Sequence, residues 1–389
     1  MMKRMKKAAA VFMAITMAAA VFTGCGNSSS GGQASETQQA KETENPEDTK
    51  KETAKTEDVK AEDTKAEEAG ETKAEAGNTA RKVGVVIKIA GNPFYEATDI
   101  GFAEAGEELG IKFITNGPSE ATVEGQIQII EGFISQKVDA IAIATNDFDA
   151  VVPALEKAKK AGIKVISWDS AVNPSGRLVH VNQAIASEIG ASEIKGIAKT
   201  IGNSGEIAIV SAGATMVNQN AWVDAMKEEL KKEEYKDIKL VDVVYGDDES
   251  QKSYNEALGL LKTYPDLKGI ISPTTVGIAA VCKAVEDQKM TGKVYVTGIG
   301  LPSLQAEYIK NGTCDTAYIW NPIDLGYLSA YTTKALLDEE ITGALGDKFS
   351  AGRLGDFEVT DDGAGGTEVV LGPPLELNKD NIDQYKEIF

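Results

Sequence analysis

Histidine is almost missing from this chain: His180 is the only one in 389 residues. Histidine-based metal sites are therefore not expected, and a Ser/His or Cys/His pair would have a single candidate base. No Ser or Asp stands at recognisable triad spacing from His180, so a structural role is expected for it. Cysteine is scarce as well. Cys25, Cys282 and Cys314 form no CxxC pair, so neither a zinc ribbon nor a disulfide scaffold is indicated. Cys282 and Cys314 read as inert packing thiols. Positive charge is short too: 40 Lys and Arg face 60 Asp and Glu, for a net charge of −20. A basic stripe for nucleic acid is absent, and that partner class is excluded. Nucleotide loops are also missing. Gly298-Ile299-Gly300 follows a strand pattern, but Leu301-Pro302-Ser303 comes next and no third glycine completes a dinucleotide fingerprint. The first strand carries neither GxGxxG nor GxxxxGK[ST]. No cofactor is expected, and an NAD or ATP enzyme is not supported.

What is present divides the chain into three parts. Residues 1–25 read as an export signal. Lys3, Arg4, Lys6 and Lys7 form its positive end, and the apolar run 8–21 is short of the ~20 residues that span a membrane. The run ends in Phe22-Thr23-Gly24-Cys25, which resembles a bacterial lipobox with Phe22 in place of the usual Leu. Cys25 is then the lipid-modified residue. Residues 26–80 are an acidic Glu/Lys/Thr/Ala tether with almost no large apolar side chain, so ordering it would go uncompensated. A diacylated cysteine followed by such a spacer would hold the body outside the cytoplasmic membrane.

The body starts near Arg81, and with 42% hydrophobic residues the chain suffices for two domains. Short apolar strand patterns alternate with helical ones, and the series then repeats. Residues 140–147 correspond to 269–275, 165–169 to 294–300, and 83–94 to 207–222. Two such series imply an α/β fold with two doubly wound parallel-sheet lobes. Polar loops stand at the carboxyl ends of the strands, where open α/β sheets bind ligands.

Those loops hold the candidate site. Trp168-Asp169-Ser170 follows a strand directly, an aromatic beside a carboxylate. Lys88 ends the first strand, with Phe94 and Tyr95 beyond it. Trp222 and Trp320 share the rim with Trp168; core packing is the ordinary role of any one of them, but all three fall on the same side. Asn146, Asn218, Gln219, Pro273, Thr274 and Thr275 add a neutral, hydrogen-bonding lining suited to a polyol. Asp247 and Asp248 precede a helix and read as a solvated loop.

The body also resembles the type I periplasmic sugar-binding proteins of ABC importers, in the rhamnose-binding and autoinducer-2-binding branch. The resemblance is carried by residues 88–95 (KIAGNPFY), 116–120 (NGPSE), Gly125-Gln126, 167–170 (SWDS), 218–222 (NQNAW), 273–277 (PTTVG), 297–303 (TGIGLPS) and 320–327 (WNPIDLGY). Lys88, Asp169, Gln219 and Pro273 match the autoinducer-2 receptors. Asn218 stands where those have Asp, and Thr275 where they have Ala. Gly300 replaces an Asp of ribose binders. The NQN, PTTVG, GLPS and WNPIDLGY stretches are more like rhamnose binders.

The resemblance implies a type I periplasmic binding protein fold with about three hinge crossings. The first is expected at residues 178–181 and the second near 316–320. The first lobe would comprise 81–182 and 321–345, and the second 183–320 and 346–389, with 360–366 as a hairpin turn. The implied function is that of a monomeric, lipid-anchored, extracytoplasmic solute-binding protein. It would deliver a small polyhydroxylated ligand, a rhamnose-like deoxysugar foremost, to an ABC permease, without catalysis. An autoinducer-2 receptor, a sugar sensor for a signalling receptor and a sugar-modifying enzyme stand as alternatives.

Overall fold

The computed structural model describes residues 80–389; the export signal, Cys25 and the tether fall outside the described residues. The first series runs β1 (Lys82–Val86), α1 (Pro93–Leu109), β2 (Lys112–Asn116), α2 (Val123–Ser135), β3 (Ala140–Ile143), α3 (Val152–Lys160), β4 (Lys164–Trp168) and β5 (His180–Asn182). The second runs α4 (Ala186–Ile201), β6 (Gly205–Ser211), α5 (Val217–Glu229), β7 (Ile238–Tyr245), α6 (Ser250–Thr263), β8 (Leu267–Ser272), α7 (Thr275–Asp287), β9 (Tyr295–Gly298), α8 (Pro302–Asn311) and β10 (Ala317–Ile319). Helix α9 (Pro322–Leu337) follows. The tail holds β11 (Lys348–Ser350), β12 (Asp356–Glu358), β13 (Thr360–Asp361), β14 (Thr367–Val370), β15 (Leu375–Leu377) and α10 (Ile382–Tyr385).

These make two large sheets, ordered β13-β14-β5-β4-β3-β1-β2 and β7-β6-β8-β9, and two two-stranded ones, β10-β15 and β11-β12. Within the two large sheets all pairings are parallel except the β13–β14 hairpin. Strand β3 is buried along its whole length, as expected of a strand covered by helices on both faces. Strand order reverses at β1/β3 and again at β6/β8. Both switch points direct their carboxyl-end loops to one crevice.

Helix α9 returns to the first lobe and lies along α1. Both helices start from an asparagine cap followed by proline: Asn92 accepts from the Phe94 N–H, and Asn321 from those of Ile323 and Asp324. Gly101 and Gly326 permit the close approach. A Cβ on Gly101 would lie 1.8 Å from the Ile323 carbonyl oxygen, and one on Gly326 2.1 Å from that of Thr98. Gly101→Ala is therefore expected to cost roughly 1–3 kcal/mol as an overpacking change. A lowered urea midpoint at unchanged slope checks this; an unchanged midpoint would mean that the helices part without cost.

The tail differs from the expected division. Residues 346–389 were assigned as a block to the second lobe, yet β14 adds to the first sheet, with Glu368, Val369 and Val370 opposite His180, Val181 and Asn182. Strand β5 otherwise leaves one edge of a buried sheet unpaired, and its backbone groups need partners. The turn at 362–366 is the expected hairpin. It is pinned by an ion pair between Arg177 and Asp362 whose side chains are almost fully buried. Only β15, paired with β10, and α10, packed on α8, belong to the second lobe. The third crossing thus lies between β14 and β15 rather than before β11. The first lies just beyond β5, because residues expected to cross are themselves sheet-paired to β4.

Candidate ligand-binding site

Lys88 stands two residues beyond β1 and is 2% exposed. Its backbone is braced from the first lobe. The Asn146 side-chain amide donates to the Lys88 carbonyl at 2.9 Å, while the Gln126 amide donates to the carbonyls of Ile87 and Ala144 and accepts from the Asn146 N–H. The Lys88 ammonium then reaches across to the second lobe, donating to Asn218 Oδ1 at 2.6 Å and Gln219 Oε1 at 3.2 Å. Both acceptors lie on the first turn of α5.

Asp169 follows β4 in the left-handed region, with φ 56°, and this turns its carboxylate into the same crevice. Its Oδ2 accepts from the Tyr95 hydroxyl at 2.9 Å and lies 3.9 Å from Lys88 Nζ; its Oδ1 accepts from Asn218 Nδ2 at 3.2 Å. Burial pushes Lys88 below the usual lysine range, opposed by the charges of Asp169 and then Asp248. Burial likewise raises Asp169, opposed first by Lys88. Tyr95 is held well above its ordinary value by burial and by Asp169, so it remains a hydroxyl donor.

These groups border a cleft with about 340 Å³ of atom-free space, counting the part open to solvent. One part of its wall is Lys88, Tyr95, Asp169 and Gln219. The second lobe adds Pro273, Thr274 and Thr275. Phe94, Trp222, Trp320 and Ile299 form its apolar part. The Phe94 and Trp320 rings meet edge to face at 6.0 Å, and Trp222 meets Trp320 at 5.6 Å.

Sequence reasoning missed Asp248. It was read as solvated, but the structure seats its carboxylate on the cavity wall. There it accepts from Asn92 Nδ2 of the first lobe at 2.9 Å and, by a short contact, from the Thr274 hydroxyl. Its neighbour Asp247 does stay on the surface, paired with Lys252. Both carboxylates follow β7 with positive φ, a backbone state that Asp tolerates. Asn92 and Ile299 also line the cavity without having been expected to.

Two expected site residues lie elsewhere. Trp168 is fully buried behind the site, packed edge to face on Tyr95 and Phe102. As the last residue of β4 it faces opposite to Asp169, the usual alternation along a strand. Asn146 braces Lys88 without lining the cavity. Asn218 acts on the cavity through its bonds to Lys88 and Asp169.

His180 is a core residue. Its Nδ1 lies 2.9 Å from the Ser167 hydroxyl, and burial, aided by Arg177, holds it neutral with a pKa of about 3. Cys282 and Cys314 are buried free thiols. Among the described residues, no group of three or more His, Cys, Asp or Glu is placed to hold a metal ion, and no helix is long and apolar enough to cross a membrane.

Comparison with known proteins agrees with this architecture. Residues 83–341 match the family model described as periplasmic binding protein domain. The D-allose-binding periplasmic protein of Escherichia coli (strain K12) is 28% identical over 276 residues, covering 68% of this chain and 86% of that protein. Among solved structures, an ABC transporter solute-binding protein from Clostridium phytofermentas with bound L-rhamnose is 40% identical. Its TM-score is 0.78, with 80% of this chain and 99% of that one covered. LsrB from Clostridium saccharobutylicum in complex with AI-2 has a TM-score of 0.74 at 22% identity, with 78% and 99% covered, and shares the fold. Two parallel-sheet lobes around one cleft, and a family match across both, make this chain a member of the periplasmic binding protein family.

Proposed function

We propose that this protein is an extracytoplasmic solute-binding protein that encloses one neutral deoxysugar, rhamnose-like, between its lobes and presents the closed form to an ABC permease. The observation that carries this reading is the division of the cavity wall. Two carboxylates, one ammonium, a phenol, two amides and two threonine hydroxyls make its polar share, and Phe94, Trp222, Trp320, Pro273 and Ile299 its apolar share. A deoxysugar has the same division, with ring hydroxyls to pair and a methyl group and C–H face to bury. Small-molecule sites commonly combine an apolar lining with a few placed polar groups. The L-rhamnose-bound relative supports the ligand class.

Both lobes contribute. Lys88, Asp169 and Tyr95 come from the first, Gln219, Asp248 and Thr274 from the second. Every cross-lobe hydrogen bond named above lies at this cavity, so ligand contacts and lobe closure draw on the same groups. Closure is then a hinge rotation about the three crossings. A lipid on Cys25 would keep the protein at the membrane beside its permease, and binding as a monomer suffices. Lys88 is paired with Asp169, and Asp248 is bonded to Asn92 and Thr274, so turnover of the ligand is not part of this reading.

A thermal-shift screen of L-rhamnose, D-ribose, D-allose and autoinducer-2 tests it. L-rhamnose is expected to raise the midpoint most. A flat response to every sugar would sink the proposal, and a response to autoinducer-2 alone would replace the ligand class. Recovery of chemically altered sugar after incubation would instead favour an enzyme.

A further inference from the structure

A second cavity, of about 610 Å³ including its mouth, lies on the hinge side of the first. Asp169 and Trp222 border both cavities. Asn218 lines the second cavity beside them, and its amide donates to Asp169 across the lobes at 3.2 Å. The second cavity is neither a packing void nor an apolar groove. Its wall includes Gln183, 1% exposed and with no partner for its side-chain oxygen, and the half-buried carboxylate of Glu368, of which one oxygen accepts from Asn182 at 2.9 Å. Exposed Ala221 on α5 and exposed Ala364 in the β13–β14 turn also line it, so small side chains flank an entrance between the lobes.

We infer that this compartment is a second subsite, which takes the sugar unit or hydroxylated substituent glycosidically attached to a ring held in the first cavity. The inference rests on the sugar-binding reading proposed above. The chemistry of the walls selects the substituent. Arg177, the cation bordering this space, is already paired with Asp362, and Glu368 adds a carboxylate without a cation of its own. An anionic substituent would meet uncompensated negative charge, whereas hydroxyl donors would find acceptors in Glu368 and Gln183. Trp222 offers an aromatic surface to both rings. The linkage would pass where Asn218 meets Asp169, replacing that hydrogen bond with one from the ligand. The accepted class is thus a neutral disaccharide or glycoside as well as the free monosaccharide.

Calorimetric titration of the purified protein tests this with L-rhamnose, a neutral rhamnosyl-glucose disaccharide and the matching rhamnosyl-glucuronate. The neutral disaccharide is expected to bind within about tenfold of L-rhamnose or tighter, and the acidic one at least about tenfold more weakly than the neutral. Ala364→Trp fills the entrance from an exposed turn. It is expected to weaken the disaccharide by at least about tenfold and L-rhamnose by no more than about twofold. Binding of L-rhamnose with no heat from either disaccharide in the unaltered protein overturns the second subsite and leaves the proposed function standing. Equal binding of neutral and acidic disaccharides also overturns it, since the charge argument then fails. Silence toward L-rhamnose and the neutral disaccharide alike would instead remove the sugar reading on which it rests.

Discussion

Asp169→Ala is expected to abolish the thermal stabilisation that L-rhamnose confers on the unaltered protein. The carboxylate accepts from Tyr95 and from Asn218 and is the nearest counter-charge of Lys88. Truncation leaves two buried donors without an acceptor, at about 1–3 kcal/mol each, and deprives the ligand hydroxyls of theirs. A ligand at 100 times its Kd stabilises by about 2.7 kcal/mol, so a loss of that size is readily seen as a missing midpoint shift. The left-handed backbone at Asp169 also disfavours alanine, by about 1–2 kcal/mol, which lowers the midpoint of the ligand-free variant as well. Asp169→Asn separates the two effects, because asparagine tolerates that backbone and keeps one acceptor. It should retain the ligand-free midpoint better than alanine while still losing most of the ligand shift. A full ligand-induced shift in both variants would remove Asp169 from the site.

Glu193→Gln is expected to stabilise the protein, and increasingly so as pH rises. Glu193 lies on α4, fully buried, and neither carboxylate oxygen has a partner. Burial raises it well above the ordinary value of 4.5. In the unfolded chain the same side chain ionises near that ordinary value. Between the two, the folded state holds a proton that the unfolded state has released. The stabilisation is therefore complete below the unfolded pKa and is lost as pH climbs toward the folded one, at up to about 1.4 kcal/mol per pH unit. Glutamine cannot ionise, so the variant lacks this slope. Urea unfolding of both proteins at pH 5 and pH 8 checks it: the difference in stability should widen at the higher pH, with other titrating groups cancelling between the two. A difference that is constant with pH would show that Glu193 ionises as readily in the folded protein as in the unfolded chain. This residue does not enter the ligand mechanism. It marks the second lobe's core as pH-sensitive independently of the cleft.

How much of the site could be read from the chain depends on the range over which each residue's role is decided. Lys88, Tyr95, Asp169 and Gln219 were legible because a strand's carboxyl end and the loop beyond it are local features, and the paired series told which ends meet. Trp168 was misplaced by one step of strand alternation: it and Asp169 are adjacent, and the left-handed turn decides that the carboxylate faces the cavity and the indole the core. Asp248 was illegible for another reason. Its partner Asn92 lies 156 residues away, and an acidic loop before a helix looks the same whether or not a second lobe closes over it. The tail was misassigned because its destination is set by an open strand edge on β5 and a buried pair with Arg177, neither of which leaves a periodic trace in residues 346–370.

What the sequence by itself determined is the alternation of strand and helix, its repetition, and hence two parallel sheets with polar loops at corresponding ends. Those follow from hydrophobic periodicity and from caps such as Asn92-Pro93 and Asn321-Pro322, which act over a few residues. Tertiary structure alone decided which side chains share the cavity, that its wall is divided into charged and apolar parts, that a second compartment adjoins it, and that the tail completes the first sheet. Each of these is a contact between segments far apart in the chain. Such contacts are selected by the burial of backbone edges and charges once the lobes exist.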